Sequence, residues 1–239
     1  MHEEIKQLES PIDIMLLMHK AFHNLSTRVE KLAFEGEAGG DLDAFKESFE
    51  HWVSQLLYHV DTEDEVMTPS LDSHFARDNE SEHEQLRRTE EDITAYLKRG
   101  DSAELEDSVK QMILNMDEDQ HGDLLEHIED IKNILKRNIG NERIVARTRR
   151  HLYRKVMAMR ILEYDHFENE EAFICPMVKE YFDAAQELEL ARRLLIQDGA
   201  EDPEWVLRWV LSEISPGERT LLKEIVSRFD RPGQSSATV

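Results

Sequence analysis

The sequence has few of the residues that break or cross-link a chain. Its 239 residues include 9 glycines, 6 prolines and a single cysteine, Cys175. One cysteine excludes an internal disulfide, and the scarcity of glycine and proline favours long helices over turn-rich sheets. Hydrophobic residues still make up 40% of the chain, enough for a buried core. These features predict an all-α protein that is stabilised by packing.

The chain also lacks apolar runs near the length of about 20 residues that a membrane span requires. No signal-peptide pattern follows Met1, so a reducing, cytoplasmic location is expected. Positive charge is scarce, because 29 Lys and Arg residues stand against 52 Asp and Glu residues, for a formal net charge of −23. Such an acidic surface repels polyanions, so neither nucleic acid nor an anionic membrane is an expected partner.

Helical periodicity and punctuation predict the order of the helices. Ser10-Pro11 is typical of a helix start, and the first predicted helix runs to about Phe34, before a turn at residues 35–40. A second helix runs from about Leu42, and we expect Pro69 to end it. Further helices are predicted at about 79–99, 103–114 and 117–138, then from about 143 to Pro176.

Two distant stretches of the chain share one arrangement. Each has a histidine, a glutamate four residues later and a proline at the same offset: His59, Glu63 and Pro69 in the first, and His166, Glu170 and Pro176 in the second. A histidine four residues before an acid occurs near chance in so acidic a chain, but the repetition of the whole register does not. Side chains at i and i+4 lie on one helix face, about 5–6 Å apart at Cβ. One helix can therefore offer both an imidazole and a carboxylate to the same metal cluster.

Two further histidines lie on apolar helix stripes and are predicted to complete the ligand set. His19 is in register with Phe22, and His121 is in register with Leu124 and Ile128. His19 lies 17 residues before Gly36 and His59 lies 19 after Gly40, so the two meet within about 3 Å of height in an antiparallel hairpin. His121 and His166 are mismatched about Gly140 by about 10 Å, so the last helix is expected to begin later or to tilt.

In this order, the residues resemble the hemerythrin-like, HHE cation-binding family. Residues 58–69 and 165–176 are similar to the second and fourth helices of that family, and the resemblance spans about residues 11–180. It implies an up-down-up-down four-helix bundle with a non-haem di-iron centre. By the same resemblance the metal ligands would be His19, His59, His121 and His166 as terminal ligands, with Glu63 and Glu170 as bridges.

The resemblance implies a protein that binds or senses oxygen, nitric oxide or iron, with an open coordination position for dioxygen or another small diatomic ligand. Two iron ions are expected, although manganese or zinc also suits histidine and carboxylate ligands. Four histidines, in place of the five of oxygen-carrying hemerythrins, argue against simple oxygen carriage. The pattern does not separate a sensor from an enzyme, and it indicates no protein partner.

Some assignments stay open at this point. His83 is an alternative third-helix ligand, but the helix around it has few apolar residues, which favours His121. His23 and His127 are interpreted as structural, and Cys175 as a buried filler. The expected domains are a metal-binding bundle over residues 1–180, with an insertion at about 75–115, and a C-terminal helical extension over 181–239 with a disordered tail.

Two rival functions come from other features. Glu-x-x-His pairs are typical of ferritin-like di-metal oxidases, and they occur here with Glu80, Glu118 and Glu163 as the acids. A metal-free helical interaction protein is the second rival. It rests on a basic helix face made of Arg143, Arg147, Arg150 and Arg154.

Overall fold

The computed structural model of the protein describes residues 4–40, 42–75, 107–138 and 146–229, and every regular element in these ranges is helical. After a 3-10 turn at Pro11–Asp13, the elements are α1 (Ile14–Glu37), α2 (Asp43–Thr62), a first π turn (Glu63–Met67), α3 (Thr68–Phe75), α4 (Asp107–Asn138), α5 (Ala146–Asn169), a second π turn (Glu170–Ile174), α6 (Cys175–Tyr181), α7 (Ala184–Leu195), α8 (Trp205–Glu213) and α9 (Pro216–Val226). The all-α prediction is confirmed. The predicted helix at 79–99 and the tail beyond residue 229 lie outside the described residues.

The chain forms two compact units, and the smaller one combines residues 1–21 with residues 182–239. In its described part, the 3-10 turn packs against α7, and α7 packs against α8. Glu218 on α9 pairs with Lys20 and accepts a hydrogen bond of 3.0 Å from the backbone N–H of Ile5. Trp209 on α8 is buried, as expected for a core residue. The domain boundary near residue 180 stays a prediction.

The larger unit, Phe22–Tyr181, is a helical bundle. In it α4 packs along α5, and α3 packs against α4 and α6. Phe22 of α1 packs on Phe167 of α5 with 5.1 Å between ring centroids, and the Trp52 ring N–H of α2 donates a hydrogen bond to Glu163 of α5. The up-down-up-down order of these helices stays a prediction. Among the described residues, each helix is too short or too polar to be a membrane span.

The two prolines of the repeated stretches lie inside helical structure, so the prediction that Pro69 and Pro176 end their helices is wrong. Each follows a π turn and becomes the second residue of a new helical segment, α3 or α6. A proline is tolerated there, because backbone N–H groups in a first turn need no partner within the helix. The chain therefore stays helical as far as Phe75 and Tyr181.

The π turns begin at the two glutamates of the repeat. The N–H of Thr68 donates to the carbonyl of Glu63, and the N–H of Cys175 donates to the carbonyl of Glu170. These bonds reach back five residues instead of four, so each turn accommodates one extra residue. The two repeated stretches therefore share a backbone feature as well as a sequence pattern: a π turn that begins at the glutamate.

The predicted separation of helices at 103–114 and 117–138 is also wrong, because α4 runs unbroken from Asp107 to Asn138. No glycine or proline lies between residues 114 and 117 to end it. His121 consequently lies within a long helix, 17 residues before Asn138, while His166 lies 20 residues after Ala146. This reduces their expected height mismatch to about 5 Å, and their ring centroids are 4.7 Å apart.

Arg149 on α5 joins that helix to the turn between α1 and α2. Its Nη1 donates to the carbonyls of Gly36 and Gly40, at 2.6 Å each, across a turn in which Gly39 has a φ of 103°. Arg149→Met is expected to lower the free energy of unfolding by about 1–2 kcal/mol, since charge-assisted hydrogen bonds are lost at a partly exposed site. Urea unfolding measures this loss, and Arg154→Met, on an exposed position of the same helix, is the control. A variant as stable as the wild type contradicts the role.

Candidate metal centre

A cluster of ionisable side chains lies in the interior of the larger unit. His59, Glu63, His166 and Glu170 are each 0% exposed, and His121 is 2% exposed. Removing charged groups from water costs free energy unless they are paired or bound to a metal. The cluster therefore needs an explanation beyond folding.

Three helices bring these five residues together. α2 and its π turn carry His59 and Glu63, α5 and its π turn carry His166 and Glu170, and α4 carries His121. His19, the sixth residue of the predicted set, lies on α1 in the smaller unit and is also fully buried. Its part in a metal site stays a prediction.

The first group of donors contains the two repeated His–Glu pairs. His59 Nε2 lies 3.2 Å from Glu63 Oε1 and 3.6 Å from Glu170 Oε2. His166 Nε2 lies 3.6 Å from the same Glu170 oxygen. One donor atom from each of these four residues lies within 4.8 Å of the others. The group has the size and composition of a site for one metal ion.

A second group overlaps with the first. It contains Asp117 and His121 of α4 together with His166 and Glu170, again with donor atoms within 4.8 Å of one another. Glu63 reaches both groups, because its Oε2 lies 3.4 Å from His121 Nε2 while its Oε1 faces His59. Overlapping groups with shared carboxylates are the arrangement that a pair of metal ions about 3.5–4 Å apart requires.

The chemistry of the donors fits such a pair. Among the described residues, neither oxygen of Glu63 and neither oxygen of Asp117 takes part in a hydrogen bond. The same holds for Nε2 of His121. Burial raises the pKa of Glu63 well above its ordinary value, and the negative charge of Glu170 raises it further. Cations between these carboxylates would remove the repulsion, and imidazole with carboxylate suits iron, manganese or zinc.

Asp64 holds the other ring nitrogen of His121. Its Oδ1 lies 2.9 Å from His121 Nδ1. A carboxylate at this position favours the tautomer that carries its proton on Nδ1, which leaves Nε2 free to bind a metal. Histidines that ligate metals commonly have such an outer partner.

The sequence prediction missed both Asp117 and Asp64. Asp117 precedes His121 by four residues, so it has the same helical spacing as the repeated pairs in the reverse order, and this signal could have identified it. His23 and His127, interpreted as structural, belong to neither donor group. His23 packs against Tyr164 with 4.9 Å between ring centroids, and His127 Nδ1 bonds to the Asp123 carbonyl at 3.0 Å. His83 lies outside the described residues.

The rival interpretations receive less support from this geometry. Glu118 is exposed, and Glu163 is buried but accepts a hydrogen bond from Trp52, while Glu80 lies outside the described ranges. Part of the basic helix face pairs with an acid of the same chain, since Arg150 Nε lies 3.0 Å from Glu37 Oε1. Arg143 lies outside the described part of the chain. Cys175 is buried, as interpreted from sequence.

Comparison with known families gives one match. Residues 10–119 match the family model described as the Hemerythrin HHE cation binding domain. The matched region contains His59, Glu63 and Asp117, and it ends shortly before His121. No curated protein and no solved structure matches the chain.

The pairing of Asp64 with His121 predicts weaker metal binding in Asp64→Asn. We expect an affinity loss of about tenfold, because an asparagine holds the imidazole and its tautomer less firmly. Titration of the metal-free protein with Mn²⁺ measures the affinity. Asp61→Asn, an exposed acid three residues earlier on α2, is the matched control. Equal affinities in the two variants would show that Asp64 does not position the ring.

The raised pKa of the buried Glu163 carboxyl predicts that the stability of the fold depends on pH. Burial raises its pKa from 4.5 to about 7, although hydrogen bonds from Ser26 and Trp52 lower it. Because the folded-state pKa exceeds the unfolded one, the neutral carboxyl stabilises the fold below pH 4.5, and this is lost as the pH rises through about 7. Metal-free Glu163→Gln should therefore exceed the wild type in stability by about 2–3 kcal/mol at pH 8 and by much less at pH 5.

Thermal unfolding at both pH values measures the difference. Glu168→Gln, an exposed position on the same helix, should show no such pH dependence. If Glu163→Gln differed from the wild type equally at pH 5 and pH 8, the carboxyl would not titrate in this range.

Proposed function

We propose that the chain holds two non-haem iron ions and binds or senses oxygen, nitric oxide or iron, from the premise that residues 10–119 match the family model of the Hemerythrin HHE cation binding domain. The observation that carries the proposal is the pair of overlapping donor groups, which share His166 and Glu170.

Each side chain has a distinct part in the proposal. His59 and His166 would supply terminal nitrogens to one ion, and His121 would supply a nitrogen to the other. A bridging role for Glu63 is supported by its two oxygens, which face imidazoles on different helices. Glu170 supports the same role because it belongs to both donor groups. His19 is retained as a ligand on the family resemblance.

Bound iron would supply a Lewis-acidic and redox-active centre for a small diatomic ligand. The chain contributes a dry and rigid surrounding. The ring of Phe22 lies 5.4 Å from that of His59, and Phe167 lies 5.5 Å from it, both measured between centroids. These buried aromatic rings limit the access of water and restrict the orientation of the imidazole.

The balance of the donors favours sensing or redox turnover over simple carriage of oxygen. Anionic carboxylates stabilise the more highly charged state of a metal more than neutral imidazoles do. The set has more carboxylate character than the five-histidine pattern of oxygen carriers. Oxidation of such a centre would therefore be harder to reverse. Manganese and zinc remain alternatives to iron, because the same donors suit them.

Removal of either bridging acid should release metal. We expect Glu63→Ala and Glu170→Ala each to fall from about two iron ions per chain to fewer than one, since each loses the carboxylate shared by two ions. Metal is quantified after anaerobic reconstitution with Fe²⁺ and removal of unbound iron. The absorption spectrum before and after exposure to air reports on the same centre.

The chain offers a matched control for each variant. Glu65→Ala and Glu171→Ala remove an exposed acid from the same two π turns and should keep the full metal content. Circular dichroism checks that helix content is unchanged. Full retention of iron in both Glu63→Ala and Glu170→Ala would overturn the bridging roles.

A further inference from the structure

We propose that Asp117 is a third carboxylate ligand of the metal pair, bound to the ion that His121 holds. This inference rests on the proposed function, and it adds a residue that the sequence pattern did not indicate. It also identifies the kind of centre, because the donor set then contains an oxygen ligand from each of the three helices α2, α4 and α5 or their π turns.

The position and burial of the Asp117 side chain support this role. The residue is 1% exposed. Its Oδ1 lies 3.3 Å from His166 Nδ1, and its Oδ2 lies 3.9 Å from His121 Nε2. Within the described part of the chain, neither oxygen takes part in a hydrogen bond. A carboxylate that is buried without a hydrogen bond is unfavourable unless a cation compensates its charge.

The neighbouring acids show that the burial is specific. Asp117, Glu118 and Asp119 are consecutive on α4, and only Asp117 points into the interior. It lies one helical turn before His121, so α4 presents an acid and a histidine on one face, as α2 and α5 do. The difference is that the acid comes first on α4 and second on the other two helices.

Asp117 has a cost for folding that a purely structural residue would not carry. An oxygen of Asp117 belongs to the same donor group as Glu170, and Glu63 faces the His121 imidazole that Asp117 also approaches. Three carboxylates are thus assembled around one small interior space. Two divalent cations carry four positive charges, which outweigh three negative ones, so the assembly becomes favourable when metal binds.

The proposed ligand also predicts a preference among metals. Carboxylate oxygens are hard ligands, so a third carboxylate makes the donor set better suited to hard cations such as manganese. We expect the site with three carboxylates to bind a trivalent ion more tightly than a site in which an imidazole replaced the Asp117 carboxylate.

The test compares Asp117→Asn with Glu118→Gln in the full chain. Both remove one negative charge from adjacent positions of α4, but only the first alters the interior. Each protein is reconstituted with Mn²⁺, and metal content is measured together with the electron paramagnetic resonance spectrum. We expect the wild type and Glu118→Gln to bind two coupled ions. Asp117→Asn should bind one ion with an uncoupled spectrum.

Retention of two coupled ions by Asp117→Asn would overturn the proposal, even with a lower affinity, since Asp117 would then only orient His166. If the wild type and Glu118→Gln bound no metal, the proposed function itself would fail. The two failures are therefore distinguishable.

The stability of the metal-free proteins separates a ligand from a structural residue. We expect metal-free Asp117→Asn to melt at or above the temperature of the wild type, because one buried negative charge is removed. The rise in melting temperature on adding Mn²⁺ should be smaller than in the wild type. A metal-free variant that melts well below the wild type, or fails to fold, would assign Asp117 a structural role and contradict the proposal.

Discussion

The burial of three carboxylates close together is the constraint around which the interior of the larger unit is organised. Glu63 and Glu170 are fully buried beside each other, and Asp117 is almost fully buried close by. A protein interior does not hold several like charges without compensation. Cations would supply this compensation most directly, because the surrounding imidazoles can also bind them. The candidate site and the acidic interior are therefore one feature.

The two buried glutamates are positioned by an unusual backbone feature. Each glutamate of the repeated stretch begins a π turn, and each turn is followed by a proline near the start of the next helical segment. The extra residue in a π turn changes the direction of the side chains that follow, which is a recurrent feature of functional sites. In this chain, the repeat extends from residue types to backbone geometry. Both halves of the bundle thus present their acids in the same way.

Much of the fold and part of the site could be predicted from the sequence. The pairs His59–Glu63 and His166–Glu170 are visible because four-residue spacing on a helix depends only on local geometry. The π turns were not predictable, since proline is an equally good signal for a helix end. The spacing of Asp117 before His121 was a usable signal, but adjacent acids are common in so acidic a chain, and tertiary packing decides which of them is buried. The sequence did not predict that α4 is continuous, because a stretch of weak apolar periodicity resembles the end of one helix and the start of another.

The central claim is that two metal ions lie between Glu63 and Glu170. The most direct measurement is an anomalous difference map from crystals of the full chain grown after anaerobic reconstitution with Fe²⁺. We predict two peaks about 3.5–4 Å apart, with His59, His121 and His166 next to them. A single peak at the protein surface, or no peak in the interior of the larger unit, would contradict it.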